Sequence, residues 1–292
     1  AGGEARSPAT PPGGGPAMSA KGGVPSPPGA APHDGRRAPT PADLDHNYAE
    51  ANRILVAFTK HGSYRERRGA AIVSSGLPVG ALNWGLLRPP FDDALETAAA
   101  VRACFAPGLP FRLVFRDVYR AALGALEAHG WERRLEPTPA MTLSLPARIP
   151  APPPGLEIRP VHSAAELAAY GEAAFLGFGY PVRAAGLFLN ERLLALSHVV
   201  LYAGFADGAL VATSMGVATG AVAGIYWVAT RAEQRGRGYG EALTWAAVAG
   251  GATFGCRLAY LQASKQGFPV YARMGFAHAF DYEHLHPKAP SS

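Results

Sequence analysis

The chain has 292 residues, 48% hydrophobic and 17% charged, which is the composition of a soluble globular protein of one or two domains. Its net charge of +5 is an arginine charge, since lysine occurs only at Lys21, Lys60, Lys265 and Lys288; it suits an anionic ligand without implying nucleic acid. Cys104 and Cys256 are too few for a disulfide framework or a metal site, and they read as two reduced core thiols.

Residues 1–40 are Pro, Gly, Ala and Ser with almost no large apolar side chains, so they are expected to form a disordered tail. They lack the continuous apolar core of a secretory signal. A helix is expected from about 43 to 60, then strands at "AAIVSS" and "GALNWGLL". A helix from about 92 to 105, a strand "FRLVF" at 111–115, a helix at 118–130 and a strand "AMTLSL" complete the first half. The basic run "RERR" at 65–68 reads as a solvated surface patch. Helices alternating with short apolar strands mean an α/β layer fold.

"LPARIPAPPPGLEIRPV" at 145–161 is the internal boundary, because successive prolines make a stiff extended connector. The expected division is 41–145, a linker at 146–154, and 155–286. The second half repeats the grammar. Strand "LEIRPV" leads to helices across 163–195, then strands near 198–204, 209–217 and 222–229, a helix from 239 to about 254, strand "LAYLQA", a short helix "FPVYARMG" and strand "HAFDYEHL". The uncharged stretch 208–230 is long enough to span a bilayer. Turn signals at Asp207-Gly208 and Thr219-Gly220 and its β-branched content make short buried strands the expectation. The halves also end alike, Gly130-Trp131 matching Gly275-Phe276, which suggests an internal duplication.

Three glycines stand directly before or at the start of the 239–254 helix, in "EQRGRGYGEAL". The first N–H groups of a helix have no internal partner, and bare backbone there can hold a phosphate. A Walker A loop is excluded because no lysine lies between Lys60 and Lys265. A dinucleotide fold fails as well, because "TRAEQR" separates strand from loop and no acid lies between Glu241 and Asp281 to hold a ribose.

What remains is Arg-x-x-Gly-x-Gly, Arg235 to Gly240, after the apolar strand "GIYWVAT" and with "YARMGF" downstream. This resembles the GCN5-related N-acetyltransferase (GNAT) superfamily over residues 155–285. The resemblance implies a GNAT fold in the second half, a mixed, mostly antiparallel sheet flanked by helices, with a degenerate GNAT-like first half as in tandem members. It implies acetyl-CoA as cosubstrate, no metal, and acetyl transfer to a primary amine of a small molecule or peptide in a ternary complex. The alternative is a non-catalytic acyl-CoA-binding module. A cytoplasmic monomer or homodimer is expected, with no nucleic-acid or membrane partner.

By the same resemblance, Val228 supplies the oxyanion N–H on a bulged strand, with Ala229 and Thr230 flanking the cofactor. Arg235, Gly236, Arg237, Gly238, Tyr239 and Gly240 hold the pyrophosphate. Tyr271 occupies the general-acid position, and Ser264 stands where many relatives carry asparagine. Phe178, Tyr180, Tyr226 and Trp227 are candidates for a substrate wall. No general base stands out; Glu172 and His198 read as a surface carboxylate and a paired strand histidine. In the first half, Leu126 falls opposite Tyr271. No Arg-x-x-Gly-x-Gly loop occurs there, and "FRLVF" is followed by a segment whose only glycine, Gly124, lies in a helical pattern. That half is expected to be catalytically silent.

Overall fold

The computed structural model describes residues 37–88 and 93–288. The tail expected over 1–40 therefore lies, apart from its last four residues, outside the described residues. The first half comprises α1 (Pro41–Val56), β1 (Ser63–Arg67), β2 (Ala70–Ser74), β3 (Asn83–Leu87), α2 (Ala94–Arg102), β4 (Arg112–Arg116), α3 (Leu123–Ala128), β5 (Trp131–Arg133) and β6 (Thr138–Ser144). The second comprises β7 (Glu157–Pro160), α4 (Ala164–Phe178), α5 (Ala185–Phe188), β8 (Val199–Ala206), β9 (Ala209–Thr219), β10 (Val222–Thr230), α6 (Tyr239–Thr253), β11 (Leu258–Gln262), α7 (Phe268–Arg273) and β12 (Ala277–Pro287).

Local chemistry accounts for most boundaries. Pro41 occupies the first turn of α1, and Asp43 accepts both the N–H and the hydroxyl of Thr40 at 2.6 and 2.7 Å. The uncharged stretch 208–230 forms β9 and β10, not a membrane helix. The β8–β9 turn has positive φ at Asp207 (51°) and Gly208 (75°), as a tight two-residue hairpin requires. Only α4 and the short α5 are α-helical within 163–195, the remainder being 3₁₀ turns at Val182–Ala184 and Glu191–Ala195 and short connections. Strand β1, "SYRER", has no apolar alternation and was not foreseen. It forms one edge of the sheet, where exposed Arg65, Glu66 and Arg67 discourage pairing with another chain.

The strands form one sheet in the order β1-β2-β3-β4-β12-β6-β11-β10-β9-β8-β7, with β5 beside β12. The order is close to palindromic. In the first half β3 and β4 are parallel with α2 between them; in the second, β10 and β11 are parallel with α6 between them. At the centre the halves exchange their last strands: β6 pairs with β11, and β12 pairs with β4. The proline-rich connector at 146–154 thus separates two strand sets that complete each other.

One face is covered by α1, α4 and α5 over the largest apolar cluster, which draws on both halves. The other face is covered by α2 and α3 on the first half, and by α6 and α7 on the second. Helix α1 belongs to the first half in sequence yet packs on β9 and β10. Its Asn47 donates to Val217 O at 3.0 Å and Thr219 Oγ1 at 2.8 Å, and accepts from the Tyr226 hydroxyl at 2.6 Å. A Cβ at Gly224 would lie 1.8 Å from Asn47 Oδ1, so glycine there makes room for the inserted amide.

Shared strands predict one cooperative transition. Trp84 and Trp131 report on the first half and Trp227 and Trp245 on the second, so urea unfolding curves by fluorescence and far-ultraviolet circular dichroism should coincide. Two separated transitions would show that the halves unfold independently.

Candidate active site

Strand β10 is paired to β9 up to Tyr226 opposite Met215 and resumes at Ala229 opposite Thr213, leaving a bulge at Trp227 and Val228. Trp227 has φ of 53°, a strained value for a residue with a side chain, and its carbonyl accepts from the Thr213 hydroxyl at 2.9 Å. Helix α4 runs tight over the bulge, since a Cβ at Gly177 would sit 2.6 Å from the Ala229 methyl. The parallel register of β10 with β11 covers Val222 to Gly224 only, so the bulged end of β10 lies beyond the ladder.

The glycine loop follows. Gly236 and Gly238 are left-handed, at φ 79° and 78°, and Gly238 is the N-cap of α6. The first helical bond runs from Ala242 N–H to Gly238 C=O, so the N–H groups of Tyr239, Gly240 and Glu241 precede the ladder. A Cβ at Gly240 would meet Thr230 Oγ1 at 3.2 Å and Val228 at 3.9 Å, which puts this helix start beside the bulge. Arg235, Gly236, Arg237 and Gly238 are exposed, whereas Tyr239 is buried. Arg235 is steered by the carbonyls of Thr230 and Gly177, both at 3.3 Å.

Tyr271, on α7, packs in the same apolar cluster as Val228 and contacts Phe276 with ring centroids 6.0 Å apart. Burial raises its phenol pKa, with the nearby Thr244 side chain opposing the shift. Gly267 lies beneath the ring, since a Cβ there would approach Tyr271 Cε2 at 2.8 Å. Ser264 Oγ accepts from Gly267 N–H at 3.1 Å, so its oxygen helps form the turn into α7.

On the opposite face, Trp227 is the hub of an aromatic group. It stacks on Phe175 at 5.4 Å and meets Phe178 at 5.5 Å and Tyr180 at 6.5 Å. Phe178 is 43% exposed, giving the group an open side. Tyr226 is buried and held by Asn47, so its hydroxyl is already committed. Glu172 is exposed. His198 lies 3.9 Å from Glu50, and burial lowers its pKa. Cys256 is buried, which pushes its thiol up to about 11, while Cys104 is only partly buried.

The sequence reading missed a buried polar chain between the halves. Gln262 donates to Tyr260, Tyr260 to Tyr282 at 3.0 Å, and Tyr282 to Asp45 at 2.8 Å; Arg116 holds the other Asp45 oxygen at 2.8 Å. Burial raises the Asp45 carboxyl pKa, with Arg116 the largest opposing influence. These residues come from α1, β4, β11 and β12, and no local motif announces them.

The sheet also corrects the internal alignment. The counterpart of the β10–α6 loop is the β3–α2 connection, because those are the parallel pairs; it is not the segment after "FRLVF", which is β4. That connection ends at Asp93, whose carboxylate accepts from the N–H groups of Leu95 at 2.6 Å and Glu96 at 3.1 Å. This helix start is occupied by its own side chain. Leu126, opposite Tyr271 in the sequence match, is fully buried.

A bulged strand feeding a left-handed glycine loop and an open helix start, with a half-buried phenol nearby, defines an acyltransferase-like architecture. Residues 171–276 match the model of the acetyltransferase (GNAT) family, and the chain carries a domain of that family on a GNAT fold. The fold recurs in a GCN5-related N-acetyltransferase from Kribbella flavida, with a TM-score of 0.64 at 21% identity over 86% of this chain and 96% of that one. It recurs in another from Sphaerobacter thermophilus, with a TM-score of 0.55 at 20% identity over 86% and 94%. A tandem GNAT protein from the clavulanic acid biosynthesis pathway aligns with a TM-score of 0.56 at 17% identity over 88% and 91%. No curated protein matches the sequence.

One consequence of the shared core is a pH dependence of stability. His284 on β12 is buried, and desolvation, reinforced by Arg112 and His286, holds its pKa well below the usual value. Below about pH 6.5 the unfolded chain takes a proton that the folded histidine refuses, so stability falls as pH falls. Urea titrations at pH 7.5 and 5.5 should show this loss, and His284→Asn should reduce it; equal losses in both proteins would exclude His284 as the cause.

Proposed function

We propose that the chain is an acetyl-CoA-dependent N-acetyltransferase that transfers the acetyl group directly to a primary amine of a small molecule or peptide within a ternary complex. The observation that carries this reading is the placement of the open α6 start against the bulge at Val228. The pyrophosphate lies on the N–H groups from Gly236 to Gly240, with Arg235 and Arg237 beside it, and the thioester reaches the bulge. Ala229 and Thr230 flank the pantetheine arm, and the Ser264 hydroxyl remains able to donate to the cofactor.

In the transfer step the neutral amine nitrogen attacks the thioester carbonyl carbon. The developing oxyanion takes a hydrogen bond from Val228 N–H. The carbon–sulfur bond then breaks, and the Tyr271 phenol gives its proton to the leaving thiolate. A raised pKa suits that role, since the phenol arrives at the step protonated. The proton lost by the amine leaves through water. The aromatic group at Phe178, Tyr180 and Trp227 walls the acceptor side, above the buried Tyr226.

The first half is the silent partner in this scheme. Its matching helix start is capped by Asp93, and Leu126 offers no proton.

Replacing Gly238 should block the cradle, because a side chain at φ 78° is strained and obstructs the helix start. Calorimetry should find one CoA per chain in the parent and no measurable binding in Gly238→Trp; undiminished binding would remove the loop from the site. Tyr271→Phe should retain CoA affinity and lower kcat by about 10²- to 10⁴-fold in saturating substrates when chemistry is rate-limiting. An unchanged kcat would reduce Tyr271 to packing.

A further inference from the structure

A second group of chemically active side chains lies beside the acceptor wall, and the transfer step above does not use it. Strands β4 and β12 run antiparallel with Leu113 opposite Leu285 and Val114 opposite His284. This brings Arg112, His284 and His286 into mutual electrostatic range. Across the β3–β4 pair Arg112 stands opposite Trp84, whose ring stacks on Tyr48 at 4.8 Å, and the Arg112 charge opposes the rise that burial gives the Tyr48 and Tyr180 phenol pKa values. His284 is 3% exposed, and its Nε2 is 2.7 Å from the Thr138 hydroxyl.

Three nitrogens in this cluster, Arg112 Nε, His284 Nδ1 and His286 Nδ1, are buried and have no hydrogen-bond partner. Arg112 takes part in none of the ion pairs among the described residues. Glu132, which acts on His286, is paired with Arg134, and Asp45 on α1 is held by Arg116. Arg112 as a whole is half-buried, but its Nε is enclosed, and buried polar nitrogens are ordinarily bonded. If the Thr138 hydroxyl donates to Nε2, the proton of neutral His284 sits on Nδ1 and adds a donor beside the guanidinium. With that tautomer, Arg112 Nε and His284 Nδ1 are two neighbouring donors without an acceptor.

Its position connects it to the transfer site. Tyr48 stacks on Tyr226 of the bulged strand at 6.5 Å, and Tyr180 meets Trp227 in the bulge at 6.5 Å. Arg112 therefore lies within electrostatic range of two rings, each of which contacts the strand proposed to hold the thioester.

We propose that Arg112, Tyr48 and His284 form an oxyanion subsite that anchors a carboxylate or phosphate of the acceptor, so that the favoured substrate is an anionic amine. This rests on the acetyltransferase reading for the amine and extends it to substrate class. It gives the silent half a task, because Arg112 and Tyr48 belong to that half. Planar, multiply donating guanidinium suits oxyanion recognition better than a point charge would.

The test uses the full chain in two arms. In the first, acetyl-CoA turnover is measured with β-alanine, 4-aminobutyrate and glycylglycine, each against its carboxamide, and with aminoethyl phosphate against ethanolamine. The parent should favour the anionic member in kcat/KM by at least about tenfold, as expected where a polar site is left unpaired by the wrong substrate. Arg112→Gln should bring that ratio near one, and Arg112→Lys should restore part of it. Preference within the carboxylate pairs or within the phosphate pair identifies the anion.

In the second arm, succinate and inorganic phosphate are titrated without CoA. They should raise the Tm of the parent and not that of Arg112→Gln, whose CoA binding by calorimetry confirms that it is folded. Carboxamides and ethanolamine used as well as their anionic partners, or anions that stabilise both proteins equally, would overturn the subsite. If no amine is acetylated, the transfer reading fails and the second arm alone decides the subsite.

Discussion

The exchange of terminal strands is the constraint on which the rest of the structure depends. Strand β6 of the first half supplies the neighbour that β11 needs, and β12 of the second half supplies the neighbour that β4 needs. Without either exchange an interior strand becomes an open edge, with unpaired N–H and C=O groups. The sheet is continuous for this reason, and α1 is free to settle on the half to which it does not belong in sequence. Asn47 fixes that docking, since its amide serves β9, β10 and the Tyr226 hydroxyl together.

A second constraint acts at the bulge. The ladder between β10 and β9 skips at Trp227 and Val228, and backbone strain at Trp227 is held by the Thr213 hydroxyl on one side and the aromatic group on the other. Strain of this kind persists only where the surroundings over-determine it. The close approach of Gly177 to Ala229 shows how little slack remains. The glycine loop that follows therefore begins from a fixed point, and the start of α6 is delivered to Val228 and Thr230.

The two halves use one topology to different ends. Both place a helix between parallel strands, but one helix begins at bare glycine and the other at an aspartate that caps its own N–H groups. A carboxylate already seated on a helix start leaves no room there for a phosphate. The first half instead contributes interior polar groups: Asp45 and Arg116 terminate the tyrosine chain, Tyr48 stacks on Tyr226, and the Arg112 charge acts on Tyr48 and Tyr180.

The amino-acid sequence by itself determined the features whose physics is local. Glycines at 236, 238 and 240, the turn residues at 207–208 and 219–220 and the period of the strands were legible because turn chemistry and helix starts depend on near neighbours, whereas Tyr271 was singled out only by the family resemblance. Strand β1 escaped because its charged "SYRER" carries no apolar alternation, and the glycine loop was matched to the wrong first-half segment because only parallel pairing reveals that β3, not β4, corresponds to β10. The exchange of β6 and β12, the reach of Asn47 and the meeting of Arg112 with His284 were decided by the tertiary structure. They join residues up to 237 positions apart, as Tyr282 and Asp45 are, and such pairs become neighbours only when strands from both halves complete one sheet.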